Sequence, residues 1–266
     1  MIDAFRRGPP GCYDDGVVVV ERVPGAAMTL ECAAGRPWLR HSLAPGDVDN
    51  DLAGVLTGVG IAAEHFERLF TGVVVTSAVD ALAGWAAFYT ATLARLTGSA
   101  PGAGSIGEFA PIYRRARALV RGRRVLDVAS CFGFLPILLT DDGFDVVASD
   151  VNAGSMTLLS RVEPGLPVLC CGADALPFPD RSMDTVLAVH LLEHVDVTVG
   201  KAALTEALRV ADRRVVVAVP YEKVPDPAYG HVRTVTRDDL VTYGEATGWP
   251  FDVLDADGGW LILDRP

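Results

Sequence analysis

Lysine is nearly missing from this chain. Lys201 and Lys223 are the only two, which leaves arginine for 21 of the 23 basic residues, against 34 acids. The resulting net charge of −11 and pI near 4.8 argue against nucleic acid or anionic lipid as a partner, since neutralising phosphates needs clustered cations. Cysteine pairs at metal-site spacing are also lacking. Cys12, Cys32, Cys131, Cys170 and Cys171 form no C-x-x-C, and their number is odd. A disulfide framework is therefore not expected, and a reduced, cytoplasmic setting fits. No apolar stretch of signal-peptide type surrounds Asp3 and Pro9-Pro10-Gly11, so no signal peptide is expected. The one segment of membrane-spanning length, Gly72 to Ala94, carries Asp80 in its middle. A central Asp is costly in lipid, so a buried or amphipathic helix is expected there instead, with no membrane insertion. No spacing among Glu193, Asp196, Glu222 and Asp226 specifies a metal site, and none is expected.

What is present is apolar material and alternation. Half of the 266 residues are hydrophobic, enough for one large domain or two smaller ones. The stretch Thr97-Gly98-Ser99-Ala100-Pro101-Gly102-Ala103-Gly104-Ser105 reads as a linker and divides the chain into 1–104 and 105–266. Before it lie short strands near 16–23, 27–31 and 38–43, then helical patterns over about 51–70 and 77–96. This smaller α+β region is expected to supply acceptor contacts, a lid or a homodimer surface.

After the linker the pattern becomes regular. A helix over 108–121 places Arg114, Arg117 and Arg121 on one face, either a phosphate-binding stripe or a solvated surface. Strands follow at 124–129, 145–149, 168–171, 185–189 and 214–219. Between them lie helices at 135–141, with Pro136 in its first turn, and at 153–162 and 198–210; another follows at 237–247. The strands are near-continuous apolar runs, as in a parallel sheet covered on both faces. The end differs: 251–254 and 260–263 flank Asp257-Gly258-Gly259, a hairpin signal.

The most informative stretch is Arg124-Val125-Leu126-Asp127-Val128-Ala129-Ser130-Cys131-Phe132-Gly133-Phe134, with Asp150 closing the next strand. A strand, a tight turn, a helix and a later acid are the parts of an adenosine site, the acid accepting the ribose hydroxyls. The turn has no G-x-G-x-x-G phosphate spacing. A cofactor without pyrophosphate is favoured, and S-adenosyl-L-methionine (SAM) is the candidate.

The motifs VLDVASCFGF, VVASD, GADALPFPD and AVHLLEHV, in this order, resemble the class I SAM-dependent methyltransferases over about residues 106–266. The resemblance implies a Rossmann-like α/β fold whose seven-stranded sheet ends in an antiparallel hairpin. The family's glycine-rich turn aligns on Ala129, Cys131 and Gly133, so two of three glycines are replaced. Either the turn takes another shape, or the site is impaired, because each added Cβ disfavours positive φ. The runs 130–136, 226–233 and 259–265 further resemble the mycofactocin oligosaccharide methyltransferases of actinobacteria. Members of that family O-methylate a glucose on the oligosaccharide of a peptide-derived redox cofactor.

These resemblances imply a set of roles. Asp127 is expected at the amino group of SAM, or as a structural acid of the turn. Asp150, with Val151 beside it, is expected at the ribose, or as a helix cap that Asn152 could replace. Asp174 and the Ala175 amide are expected at adenine, and His190 near the methyl-transfer centre. His231 is the first candidate for a general base and His194 the second, with Glu193 orienting His194 or capping a helix; near-neutral His pKa suits the task. Tyr221, Glu222 and Tyr229 lie in the same Pro-rich connection, which can cover the acceptor. The acceptor is expected to be a small molecule or an oligosaccharide. Three other readings stay open: a quinone or natural-product methyltransferase, a nicotinamide-dependent oxidoreductase, and an inactive methyltransferase-like binding protein.

Overall fold

The computed structural model describes residues 3–6, 8–98, 105–226 and 230–266. The middle of the expected linker and Pro227-Ala228-Tyr229 lie outside the described residues. The chain divides into two compact units, residues 1–110 and 111–266.

The first unit holds a four-stranded sheet of β1 (Cys12–Asp14), β2 (Val19–Arg22), β3 (Thr29–Ala33) and β4 (Arg36–His41), in the order β1-β2-β4-β3. Helices α1 (Leu52–Gly58), α2 (Ala63–Ser77) and α3 (Ala81–Thr97) follow. The single helix expected over 51–70 is broken, since Gly60 adopts φ +78° between α1 and α2. The segment around Asp80 is likewise not continuous. Asp80 lies between α2 and α3, which meet at 100°, and its carboxylate accepts the Ala83 amide at 2.8 Å as the N-cap of α3. An acid that is costly mid-helix is thus used where it stabilises a helix start. Among the described residues, no single helix is long and apolar enough to cross a membrane. Phe70, Trp85, Phe88 and Tyr89 form an edge-to-face aromatic cluster in the core, the geometry that ring quadrupoles favour.

Helix α4 (Ser105–Leu119) begins in the first unit and ends in the second. The second unit then alternates β5 (Arg124–Val128), α5 (Phe134–Asp141), β6 (Asp145–Asp150), α6 (Ala153–Val162), β7 (Val168–Cys170), β8 (Met183–Val189), α7 (Val197–Val210), β9 (Ala211–Val219), α8 (Arg237–Thr247), β10 (Phe251–Asp255) and β11 (Gly259–Asp264). Its seven-stranded sheet has the order β10-β11-β9-β8-β5-β6-β7. The five strands from β9 to β7 are parallel, and β11 runs antiparallel to both neighbours. The expected hairpin on a parallel sheet is present.

Alternation along the strands covers both faces. Leu126, Val128, Val186, Ala188, Val215 and Val217 pack with Ala203, Leu204 and Ala207 of α7 and Leu240 of α8. The intervening Val125, Leu187, Val216 and Ala218 are buried as well. Val128 stands opposite Ser149 on β6 and Ala188 on β8, so these strands end level. The connection after β5 runs to β6 on one side and the connection after β8 runs to β9 on the other, so the strand order reverses here, the crevice where open α/β sheets bind ligands.

Two details differ from expectation. Pro136 is the third helical residue, because α5 starts at Phe134 after Gly133; its missing N–H still falls among the groups a helix start leaves unpaired. The arginines near α4 do not form one stripe. Arg121 lies beyond the helix and pairs with Asp264, while Arg117 pairs with Asp142.

At the opposite edge of the sheet, Asp184 accepts the Arg123 and Arg124 amides at 2.7 and 2.9 Å and the Arg124 guanidinium at 2.9 Å. Burial pushes its pKa up, but the Arg124 side chain and the two amides outweigh this and hold it at about 2. A carboxylate depressed on folding stabilises above its unfolded pKa and loses that contribution as pH falls through the folded one. The difference corresponds to about 2 kcal/mol. Asp184→Asn should remove about that much at pH 7, and the gap between variant and parent should shrink between pH 4 and pH 2, as read by urea melts at each pH.

Candidate functional site

The site begins at the turn after β5. Ala129, Cys131 and Gly133 adopt φ of +61°, +52° and +78°, so all three are left-handed despite two side chains. The turn therefore keeps positive φ at each aligned position, and the alternative of a different shape falls away. Hydrogen bonds hold it there. Ser130 N donates to Ser149 O at 2.9 Å, Gly133 N to Ser130 O at 2.7 Å, and Ser130 Oγ to Asp127 O at 3.0 Å. Gly133 has no substitute, because a Cβ there would lie 2.4 Å from the Leu159 side chain.

Asp150 grips this turn. Its Oδ2 accepts the Cys131 amide at 2.9 Å and its Oδ1 the Asn152 amide at 2.8 Å. Asn152, not Asp150, caps α6 by accepting the Gly154 and Ser155 amides. The Asp150 oxygens keep lone pairs for two further donors. Beside it, Val151 is 77% exposed, an apolar surface at a strand end. Asp127 lies behind the turn, only 3% exposed. Burial pushes its carboxyl up to about 7; the Ser130 hydroxyl opposes this and the Asp150 charge adds to it. Tyr113 on α4 was not singled out by sequence, where the arginines of that helix drew attention. Its hydroxyl is held well above the usual range by burial, with Cys131 and Asp127 adding.

Asp174 and Ala175 are exposed in the loop after β7. The Ala175 amide donates to Gly172 O at 3.3 Å within that loop. Arg209 anchors the loop by donating to Leu176 O and Phe178 O.

A second group of side chains gathers where β8 and β9 end. His190 follows β8 with φ +55°, and its Nδ1 lies 3.3 Å from Glu193 Oε1. Leu192–His194 form a short 3₁₀ turn, and Asp196 caps α7, so Glu193 is not a cap. The connection after β9 folds back over this turn. Val232 N donates to Glu193 O at 2.8 Å, and Arg233 Nε donates to Leu192 O and Val195 O, each at 2.9 Å. This brings His231 against His194, ring centroids 4.8 Å apart at 82°. His231 Nδ1 lies 2.8 Å from Glu222 Oε2. The carboxylate partnering a base candidate is thus Glu222 on His231. Tyr221 turns away and donates to Asp255 at 2.7 Å.

Residues 126–219 match a family model described as a methyltransferase domain. The seven-stranded unit has the class I methyltransferase fold. The chain is 37% identical over 124 residues to the demethylmenaquinone methyltransferase of Renibacterium salmoninarum, covering 46% of this chain and 50% of that protein. It is 39% identical over 108 residues to the ubiquinone/menaquinone biosynthesis C-methyltransferase UbiE of Xanthomonas campestris, covering 37% and 42%. The chain thus spans about half the length of these curated relatives. A SAM-dependent methyltransferase of Archaeoglobus fulgidus shares the fold at TM-score 0.50 and 18% identity, covering 58% of this chain and 92% of that one. So does the magnesium protoporphyrin IX methyltransferase of Synechocystis with bound SAH, at TM-score 0.50 and 15% identity, covering 66% and 93%.

The residues at these strand ends fit S-adenosyl-L-methionine: the Asp150 lone pairs, the exposed Val151 face and the buried Asp127 carboxyl would suit ribose, adenine and amino group. Left-handed Ala129 costs about 1 kcal/mol relative to glycine. Ala129→Gly should therefore stabilise the protein by roughly that amount, while Gly133→Ala should cost about 2 kcal/mol or more through Leu159. Denaturant midpoints at constant m-value check both.

Proposed function

We propose that this chain is a SAM-dependent O-methyltransferase acting on a hydroxyl, the acceptor being a glucose hydroxyl of a mycofactocin-type oligosaccharide. The observation that carries oxygen as the acceptor atom is the His231–Glu222 pair beside His194, next to the strand ends that bear the adenosine residues. An alcohol must lose its proton on methylation, and this pair is arranged to take one. The sugar and its carrier rest on the resemblance of runs 130–136, 226–233 and 259–265.

When bound, SAM supplies a sulfonium-borne methyl that passes to the acceptor oxygen as the C–S electron pair returns to sulfur, leaving SAH and one proton. Asp150 orients the ribose end and Asp127 the amino end, so the chain's main contribution is alignment. Glu222 accepts from His231 Nδ1–H, which leaves Nε2 to receive the hydroxyl proton. Such a base contributes about 10²–10⁴-fold. A quinone C-methyltransferase is the second reading, supported by the identity to the Renibacterium and Xanthomonas proteins.

Comparing cells with and without the gene by mass spectrometry tests the acceptor. Gain of one CH₂ on an oligosaccharide is expected; gain on a quinone would overturn the sugar reading. His231→Ala should lower kcat about 10²–10⁴-fold with SAM affinity unchanged by calorimetry, and equal loss of both would reject the activating role. Asp150→Ala should weaken SAM binding directly. Because Asp127 titrates near 7 and only its ionised form attracts an amino cation, SAM affinity should fall as pH drops below 7, up to about tenfold per unit. Asp127→Asn should bind weakly and without that slope.

A further inference from the structure

Glu193 presents a buried carboxylate without a hydrogen bond. Its side chain is 1% exposed, and neither oxygen has a hydrogen-bond partner. The nearest basic atom is His190 Nδ1 at 3.3 Å from Oε1. A buried ionised carboxylate left this way is costly unless something positive completes it. The turn carrying Glu193 also carries His194, and the backbone clamp from Val232 and Arg233 sets His231 against both. Donor atoms of Glu193, His194 and His231 all lie within 4.8 Å of one another.

We propose that Glu193, His194 and His231 hold a divalent first-row transition metal ion. Two imidazoles and one carboxylate suit such ions, and three protein ligands leave coordination positions open, the pattern of catalytic rather than structural sites. Calcium and magnesium prefer all-oxygen shells. Glu222 completes the arrangement from behind. By accepting from His231 Nδ1–H it presents Nε2 as the ligand atom, the role carboxylates take behind metal-bound histidines. Metal–ligand bonds of about 2.0–2.2 Å require donors about 3.4 Å apart in a tetrahedral shell, so donors now within 4.8 Å of one another would close by up to about 1.4 Å on loading. The exposed His194 supplies that movement, while Glu193 and His231 are held.

The cation's role rests on the methyl-transfer reading; its binding does not. With the ion in place His231 would be a ligand and no longer the proton acceptor; its role in activation would pass to the metal, on which the acceptor hydroxyl would gain acidity. The hydroxyl would reach the ion at an open position and would lose its proton to solvent. The oxygen pair then forms the bond to the methyl carbon, while the C–S pair leaves with sulfur.

The test is titration of the metal-stripped full chain with Mn²⁺ or Zn²⁺, followed by calorimetry and, for manganese, by loss of the free-ion EPR signal. One ion per chain is expected. Glu193→Gln and His231→Ala should each lower affinity at least about 100-fold, and Glu222→Gln about 10–100-fold. His194→Ala changes an exposed side chain, so it keeps the fold intact and should weaken binding comparably. SAM titration of every variant reports that the domain is folded. Absence of binding in a parent protein that still binds SAM would overturn the proposal, as would equal binding by parent and His194→Ala. Metal bound as expected in a chain that methylates nothing would support the site and reject the methyl-transfer reading alone.

Discussion

The carboxylate of Asp150 ties together the turns that follow two neighbouring strands, β5 and β6. One oxygen takes the amide of Cys131 from the turn after β5, and the other takes the amide of Asn152 from the turn after β6. The turn after β5 and the turn after β6 are positioned from that junction. The left-handed residues Ala129 and Cys131 are held against their own preference, and the cost is met by the hydrogen bonds around Ser130 and Ser149. The same carboxylate keeps lone pairs for further donors.

The second junction lies where β8 and β9 finish. Arg233 donates into the carbonyls of Leu192 and Val195 and also to the Tyr243 hydroxyl. This ties the connection after β9 to the short turn after β8 and to α8. The clamp is made of backbone and a half-buried guanidinium, and it sets the histidines side by side. His231 keeps Glu222, and Glu193 keeps an open carboxylate. The two junctions sit on adjacent strand ends of one sheet, which brings the Asp150 turn and the His194–His231 group to a common edge.

Much of the sheet unit was legible because its signals are local. Runs such as Val215–Val219 need two covered faces, and Asp257-Gly258-Gly259 reads as a turn wherever it occurs. The strands and helices of 124–264 accordingly lie within a few residues of where pattern places them. The first unit was less legible. A helical period over 51–70 does not reveal a break at Gly60, and an Asp inside an apolar run does not announce itself as the cap of the next helix. The site was partly legible for the same reason. Asp150 and the residues of the turn stand in one contiguous motif. The pairing of Glu222 with His231 joins positions separated by a connection with no periodic pattern, and Tyr113 was hidden on a helix whose charges were more conspicuous.

Sequence alone therefore determined the alternation of elements, the parallel sheet with its final hairpin, the acid at the end of β6 and the strongly negative surface. Each follows from propensity, periodicity or composition within a short window. Only the tertiary structure decided that Ala129 and Cys131 would accept left-handed backbone, that Glu193 would be buried without a hydrogen bond, and that His194 would meet His231. Those outcomes depend on which distant carbonyls and carboxylates are brought within reach, and that is settled by strand order and packing, not by neighbours in the chain.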